Sequence, residues 1–241
     1  LQQHFHTEPY LKRSFLVSDI SESALAVKLS DFEKELPEGL SLAYLPSFGM
    51  VRLRLWARGN EHEEEMHAQA EKLIRLLGDL LVAEGDASLE ELLGNALREK
   101  HLTVSTAESC TGGYIAHRIT TVPGASDYFM GSVIAYSNEV KRALLHVAAD
   151  VLEKHGAVSR PVVEQMAANV ASLLKTDCGI AVSGIAGPSG GSDEKPVGTV
   201  WVCTFYHGKT HARLYHTGML REENISRAAN MAMLQLVRML K

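Results

Sequence analysis

Cysteine is scarce in this sequence, and the thiols that are present lie far apart. Only three of the 241 residues are cysteine, namely Cys110, Cys178 and Cys203. An odd number of widely spaced cysteines forms neither a disulfide framework nor a zinc knuckle, so we expect a reducing compartment, the cytoplasm. The histidines are scattered along the chain, and we therefore predict no bound metal and no cofactor.

Long apolar runs and an excess of positive charge are also missing. No hydrophobic segment approaches the length of a membrane-spanning helix, and no signal-peptide pattern opens the chain. With 24 basic and 29 acidic residues, the formal net charge is −5, which argues against nucleic acid as the main partner. We expect neither a membrane nor a nucleic acid to bind. A hydrophobic content of 46 % is ordinary for a globular protein.

Residues 1–86 have the pattern of a small α+β unit. After a polar lead-in over residues 1–12, apolar periodicity predicts strands over 13–17, 40–45, 50–56 and 80–83 and helices over 21–35 and 61–77. The resulting order, β-α-β-β-α-β, is the split βαβ arrangement of ferredoxin-like or KH-like domains. Gly85-Asp-Ala-Ser88 then interrupts the pattern, and we place a domain boundary after residue 86.

Residues 87–241 alternate strands with helices. A capping box of Ser88 and Glu91 begins a helix that runs through Lys100. Strands are predicted over 102–105, 131–136, 178–183, 197–206 and 210–216, and helices over 114–120, from 137, over 161–174 and over 222–240. This combination predicts a three-layer α/β/α domain with a mixed sheet.

The segment Thr106-Ala-Glu-Ser-Cys-Thr-Gly-Gly113 is predicted to be a turn from a strand into a helix. Turns of this kind present side chains to ligands in α/β sheets, and glycines at a helix start expose backbone N–H groups to an anion. The turn holds four potential nucleophiles and one carboxylate: Thr106, Ser109, Cys110, Thr111 and Glu108. A purely structural role explains the same residues, with hydroxyls capping the helix and glycines easing close packing.

Lys141 is the candidate general base. It lies one helical turn after Ser137, so the two side chains share a face, and a Ser–Lys pair is an accepted nucleophile–base arrangement. Ser137 also suits the role of helix cap. Ser109 reaches Lys141 only through the tertiary fold, but its turn offers amides for an oxyanion. Cys110 is intrinsically the better nucleophile, and the residues alone leave the choice among these three open.

Polar residues follow two further predicted strands, at Tyr136–Lys141 and at Ser183 with its glycine-rich loop. If these strands neighbour the one before the turn, all three groups meet at one sheet edge, where ligands of α/β proteins bind. The loop over residues 184–196 lacks the Gly-x-Gly-x-x-Gly order of dinucleotide sites. We expect it to cover a small substrate or to serve as a flexible connection.

Four motifs resemble the CinA family, and they occur in that family's order. They are Thr106-Ala-Glu-Ser-Cys-Thr-Gly-Gly113, Tyr136-Ser-Asn-Glu-Val-Lys141, His155-Gly-Ala-Val-Ser159 and the segment from Ser183 to Gly198. Residues 87–241 look like its carboxy-terminal domain, the nicotinamide-mononucleotide (NMN) amidohydrolase, and the region before them is similar to its KH-like middle domain. The pyrophosphatase domain that long members carry first has no counterpart in these 241 residues.

The resemblance implies hydrolysis of the carboxamide of NMN to nicotinate mononucleotide and ammonia. It places the nucleophile at Ser109 and the base at Lys141, and we count Tyr136 with these catalytic residues. The residues expected to hold the substrate are Thr106, Thr111, Gly112, Gly113, Ser137, Ser183, Gly184, Arg221 and Arg227, where either arginine is a candidate for the phosphate. A homodimer is expected. The alternatives are a non-catalytic interaction module related to competence or DNA damage, and an amidase acting on another phosphorylated amide.

Overall fold

A computed structural model describes residues 10–241, and the chain divides into two compact units between Ala87 and Ser88. Most of the predicted lead-in over residues 1–12 lies outside the described residues. Its last three residues belong to the first strand instead, which is longer than predicted because its partner strand pairs with it along its whole length. Within residues 10–241, every helix is too short or too polar to cross a bilayer.

The first unit is a four-stranded antiparallel sheet with two α-helices. Its elements are β1 (Tyr10–Ser18), α1 (Glu22–Lys34), β2 (Leu40–Ser47), β3 (Met50–Arg58), α2 (Glu63–Leu77) and β4 (Leu81–Glu84). The strands are arranged β2-β3-β1-β4, and each neighbouring pair is antiparallel. This confirms the predicted small α+β domain with the split βαβ arrangement.

Alternating side chains decide which face of this sheet is buried. Val51, Leu53 and Leu55 of β3 are buried and share one hydrophobic core with Leu29 of α1 and Leu73 of α2. Successive residues of a strand point to opposite faces, so the period-two pattern of β3 directs its apolar set toward the helices. Burial of each such side chain stabilises the unit by about 1.5–3 kcal/mol.

The second unit is a mixed five-stranded sheet flanked by helices. Its elements are α3 (Leu89–Glu99), β5 (Val104–Glu108), α4 (Tyr114–Thr120), β6 (Phe129–Ile134), α5 (Asn138–Ala143), α6 (Ala149–His155), α7 (Arg160–Leu174), β7 (Cys178–Gly184), β8 (Thr199–Tyr206), β9 (Lys209–His216) and α8 (Arg221–Met239). The strand order is β6-β5-β7-β8-β9. β6, β5 and β7 run parallel to one another, β8 is antiparallel to β7, and β9 is antiparallel to β8. This confirms the predicted mixed α/β class.

Helices cover both faces of this sheet. Ala107, Ala181 and Cys203 lie side by side on adjacent strands and form one core with α7. Gly179 allows α7 to lie close to β7, because a Cβ atom there would be 2.1 Å from the carbonyl oxygen of Ala167. α8 contacts β7 and β8 and packs with α3 and α4 but contributes nothing to that core. The unit is therefore three-layered.

Several element boundaries of the second unit differ from the sequence-based prediction; β6, for example, spans Phe129–Ile134 rather than residues 131–136. β5 continues to Glu108, three residues beyond the predicted end, because its neighbours β6 and β7 pair with it on both sides up to that residue. Pairing with neighbouring strands outweighs local propensity at such positions. The short helix α6 was not predicted. The turn between β5 and α4 is confined to residues 109–113.

Candidate active site

A cavity of about 370 Å³ lies at the carboxyl ends of β5, β6 and β7, which is the predicted sheet edge. Its lining comes from the turn after β5, the start of α5, the segment before α7, the loop after β7 and the start of α8: Ser109, Cys110, Tyr136, Asn138, Lys141, Ala157, Val158, Ser183, Gly184, Ile185, Ala186, Gly187, Ser189, Gly190 and Arg221. A volume of this size suits a small molecule.

A larger, open cavity lies on the first unit, with a volume of about 570 Å³. Its lining is mainly charged or aliphatic: Leu11, Lys12, Arg13, Glu63, Glu64, Met66 and His67. No serine, threonine or cysteine lies among these residues, so this cavity offers no nucleophile beside a base. The chemistry therefore points to the smaller cavity of the second unit.

Ser109 and Lys141 meet in that smaller cavity. Lys141 is only 1 % exposed, and its Nζ donates hydrogen bonds to Ser109 Oγ over 3.0 Å and to the carbonyl oxygen of Ala135 over 2.7 Å. Burial lowers the pKa of the Lys141 ammonium because the charged form loses its hydration, and the opposing effects of Cys110 and Glu139 are smaller. The amine is thus shifted toward the neutral state that a general base requires.

The ends of three strands hold the two partners in register. The amide of Ser109 donates to Val182 O of β7 over 3.0 Å, and the amide of Ala135 donates to Glu108 O of β5 over 2.8 Å. The same Ala135 residue accepts from Lys141 through its carbonyl group. Backbone bonds between parallel strands therefore set the distance between the serine and the lysine.

The three candidate nucleophiles, Ser109, Cys110 and Ser137, lie in different environments. Ser137 is the N-cap of α5, where its hydroxyl accepts from Val140 N, and it does not line the cavity. Cys110 lines the cavity, but burial raises the pKa of its thiol to about 12, with the nearby Glu108 carboxylate adding to the rise. A thiol with so high a pKa stays protonated and is a poor nucleophile. Ser109 is the one that contacts Lys141.

The predicted anion site at the start of α4 is occupied by the protein itself. The buried Glu108 carboxylate accepts hydrogen bonds from the amides of Gly113, Ile115 and Ala116. Thr106 is fully buried within β5, and its hydroxyl bonds to Ser132 Oγ over 2.7 Å. Because Glu108 consumes these amides, the turn does not offer a free helix start to a ligand.

Four residues of the turn that were expected to hold the substrate do not line the cavity: Thr106, Thr111, Gly112 and Gly113. Their positions explain this. Thr106 belongs to the strand, and the two glycines adopt positive φ angles of 59° and 99° that let the chain reverse into α4. The expectation that they bind substrate therefore has no support in the geometry.

Ser183 and Gly184 do line the cavity, as does Arg221. Ser183 Oγ donates to Ala157 O over 2.8 Å and fixes the segment that precedes α7. The Arg221 guanidinium donates to Gly187 O over 2.8 Å and to Tyr136 Oη over 3.1 Å. The Tyr136 hydroxyl thus contacts Arg221, whereas Lys141 only approaches its backbone carbonyl at 3.5 Å.

Arg227, the other phosphate candidate, faces a different environment. Its guanidinium donates to Thr217 O over 2.8 Å and pairs with Glu223 at 3.3 Å, and it does not line the cavity. Asn138 and Ala157, by contrast, line it without having been singled out as site residues. Asn138 belongs to the motif over residues 136–141 and Ala157 to the motif over residues 155–159. These motifs were therefore sufficient to predict that both residues lie at the cavity.

The glycine-rich loop after β7 lines the cavity with five residues between Ile185 and Gly190. It is tied back near its end, where Lys195 Nζ donates to His155 O over 2.9 Å. Asn224 of α8 donates to Ala186 O over 3.0 Å from a buried position. This fits the expectation of a cover over a small molecule better than that of a free connection.

Comparison with known families assigns most of the chain. Residues 86–240 match the family described as CinA C-terminal domain, and residues 12–81 match the Damage-inducible protein CinA KH domain. A CinA-like protein of Cytophaga hutchinsonii is 41 % identical over 241 residues, which is 99 % of this chain and 57 % of that protein. A CinA-like protein of Salinibacter ruber is 45 % identical over 83 % of this chain and 49 % of its own length. The chain thus spans about half the length of these relatives.

Solved structures match about two thirds of this chain. A competence/damage-inducible protein from Agrobacterium tumefaciens is 35 % identical, with a TM-score of 0.61 over 65 % of this chain and 98 % of its own. A competence or damage-inducible protein from Enterobacter asburiae is 29 % identical, with a TM-score of 0.62 over 65 % of this chain and 100 % of its own. Nearly the whole of each solved chain is therefore matched.

The environment of Cys110 predicts a slow reaction with alkylating agents. At about pH 8, a thiol with its pKa near that of free cysteine, about 8.5, is partly ionised, whereas Cys110 is held protonated by burial. We expect iodoacetamide to modify the Cys110 peptide more than about 10²-fold more slowly in the folded protein than in the same protein unfolded in urea. Mass spectrometry of that peptide measures both rates. Equal rates would contradict the burial of this thiol.

Proposed function

Because the chain belongs to the CinA family, we propose that it is an amidohydrolase that converts NMN to nicotinate mononucleotide and ammonia. The proposal rests on one observation above all, the 3.0 Å hydrogen bond between Ser109 Oγ and the buried Lys141 Nζ in the cavity at the sheet edge. A serine beside a lysine with a lowered pKa is a nucleophile beside a base. The family name alone does not specify this reaction.

In the first proposed step, Ser109 attacks the carboxamide carbon. The neutral amine of Lys141 takes the hydroxyl proton as the new C–O bond forms, and the carbonyl π electrons move to oxygen. Ser109 N already donates to Val182 O, whereas the amides of Cys110 and Thr111 donate no hydrogen bond within residues 10–241. Of these two residues, Cys110 lines the cavity, and its amide is our candidate for stabilising the oxyanion.

In the second step, the tetrahedral intermediate collapses. Lys141 returns its proton to the departing nitrogen, the C–N bond breaks, and ammonia leaves an ester on Ser109. Water then attacks this ester with Lys141 again taking the proton, and release of the carboxylate restores the Ser109 hydroxyl. Each proton that Lys141 accepts is thus passed on within the same half of the cycle.

Arg221 is the proposed contact for the phosphate of the substrate. A guanidinium has five N–H donors, of which Gly187 O and Tyr136 Oη use two. The remaining donors are available at the cavity, and a charged donor suits a phosphate. Tyr136 enters the proposal through this contact, since its hydroxyl holds the guanidinium in place.

The proposed reaction predicts ammonia release that depends on Ser109. Purified protein incubated with NMN should give equal amounts of ammonia and nicotinate mononucleotide, measured by a coupled ammonia assay and by chromatography. Ser109→Ala should lower kcat by at least about 10³-fold, because the nucleophile is lost. Cys110→Ala is the matched control and should keep most of the activity. No product from NMN, with turnover of another phosphorylated amide, would preserve the amidase but change its substrate.

Lys141 is predicted to be required as a base rather than as a charge. Lys141→Arg keeps the positive charge but cannot give up a proton, so both it and Lys141→Ala should lower kcat by at least about 10²-fold. Lys154→Ala, on an exposed position of α6, is the control. Only the neutral amine is active, so kcat/KM of the wild type should rise as pH passes upward through the lowered pKa of Lys141. Near-normal turnover by the arginine variant would refute the base role.

Arg221 is predicted to recognise the phosphate, and Arg227 is not. Arg221→Ala should raise KM for NMN by about 10- to 100-fold, the ratio that corresponds to about 1.5–3 kcal/mol for a charged hydrogen bond. It should leave KM for nicotinamide riboside, which lacks the phosphate, unchanged. Arg227→Ala tests the other candidate in the same assays. An effect of Arg227→Ala confined to NMN, with none for Arg221→Ala, would reverse the assignment.

A further inference from the structure

Glu108 is a buried charge that the proposed reaction does not use. Its side chain is 0 % exposed. One carboxylate oxygen accepts from the amides of Gly113 and Ile115, each over 3.0 Å, and the other accepts from Ala116 N over 2.8 Å. Within residues 10–241, no lysine, arginine or histidine forms an ion pair with it. The Thr106 hydroxyl also donates to Glu108 Oε1, over 3.3 Å, so three backbone amides and one hydroxyl compensate this charge.

This is an unusual way to cap a helix. Helices ordinarily take their cap from the residue directly before the first turn, usually a Ser, Thr, Asp or Asn. Here that residue is Gly113, which has no side chain to offer, and the helix has only seven residues. The cap comes instead from five positions earlier, at the last residue of β5. A short helix does not by itself call for a fully buried carboxylate, whose desolvation is costly.

The carboxylate spans the base of the turn that carries the nucleophile. Its backbone belongs to β5, its side chain holds the first residues of α4, and Ser109 lies directly between these two anchors. The carbonyl group of Glu108 also accepts from the amide of Ala135, the residue whose own carbonyl accepts from Lys141. Glu108 thus contacts the start of α4, next to the turn of Ser109, and Ala135, which accepts a hydrogen bond from Lys141.

We propose that Glu108 is a positioning residue for the nucleophile. Its carboxylate clamps the start of α4 to the end of β5 and so keeps Ser109 Oγ within hydrogen-bond distance of Lys141 Nζ. The kinetic part of this inference rests on the proposed function, whereas the geometric part does not. Both side-chain oxygens accept hydrogen bonds, so the clamp needs an acceptor at each of the two terminal positions.

Glu108→Gln is the sharpest test, since it changes one atom and no volume. The amide nitrogen of glutamine is a donor, so it faces a backbone donor in either orientation and at least one bond of the clamp is lost. We expect kcat for NMN to fall about 10- to 100-fold with KM unchanged, because binding residues elsewhere in the cavity stay in place. A crystal structure of the variant should show the Ser109–Lys141 distance beyond about 3.5 Å, outside hydrogen-bond range.

Glu91→Gln is the matched control in the same unit. The Glu91 carboxylate caps α3 by accepting from Ser88 N over 2.6 Å, so the substitution removes the same kind of bond away from the cavity. It should lower the unfolding temperature without changing kcat. If Glu108→Gln does not fold, Glu108→Asp replaces it; the side chain is shorter by about 1.5 Å, and the same lengthening is expected.

The Ser109–Lys141 distance tests the proposed clamp, and ammonia release from NMN tests the proposed function. A Ser109–Lys141 distance that stays at its wild-type value in both Glu108 variants would overturn the clamp, whatever happens to kcat. If the wild type releases no ammonia from NMN, the proposed function fails, and the distance still decides the clamp. A lengthened distance together with a lower kcat and an unchanged KM supports both.

Discussion

The contact between Ser109 and Lys141 depends on keeping an amine out of water. Moving an ammonium group from water into a protein interior is costly unless an anion lies beside it. The partners of Lys141 are a hydroxyl and backbone carbonyl groups, which are neutral acceptors. Loss of hydration therefore outweighs the favourable charge interactions, and the pKa of Lys141 falls. Burial of this lysine thus favours its neutral form, the form that the proposed base role requires.

The parallel half of the second sheet supplies the geometry for this burial. β5, β6 and β7 all end at the same edge, so the segments that follow them converge on one small volume. One of these segments bears Ser109, one bears Lys141, and the third forms the glycine-rich cover after Ser183 and Gly184 at the end of β7. The antiparallel strands β8 and β9 extend the sheet on the side away from this edge and contribute no residue to the cavity.

The sequence was sufficient for the fold class and for much of the cavity, because both depend on local patterns. Alternating apolar residues predicted β3, and apolar runs predicted that Ser109 and Lys141 follow strands and that Ser183 lies at the end of one. The limits had physical causes as well. β5 was predicted too short because its last residues are held by strands remote in sequence. The separation of Arg221 from Arg227 depends on which partners α8 meets in the fold, and spacing alone does not contain that information.

The turn between β5 and α4 shows how one structure treats two buried charges in opposite ways. The Glu108 carboxylate lies inside the protein, where backbone amides at the helix start supply the hydrogen-bond donors that water would. Lys141 has no comparable anionic partner and is driven toward its neutral form. A carboxylate placed beside Lys141 would reverse that shift and remove the base. The amides and the Thr106 hydroxyl thus supply the hydrogen bonds of a carboxylate one residue from Ser109, and Glu108 forms no ion pair with Lys141.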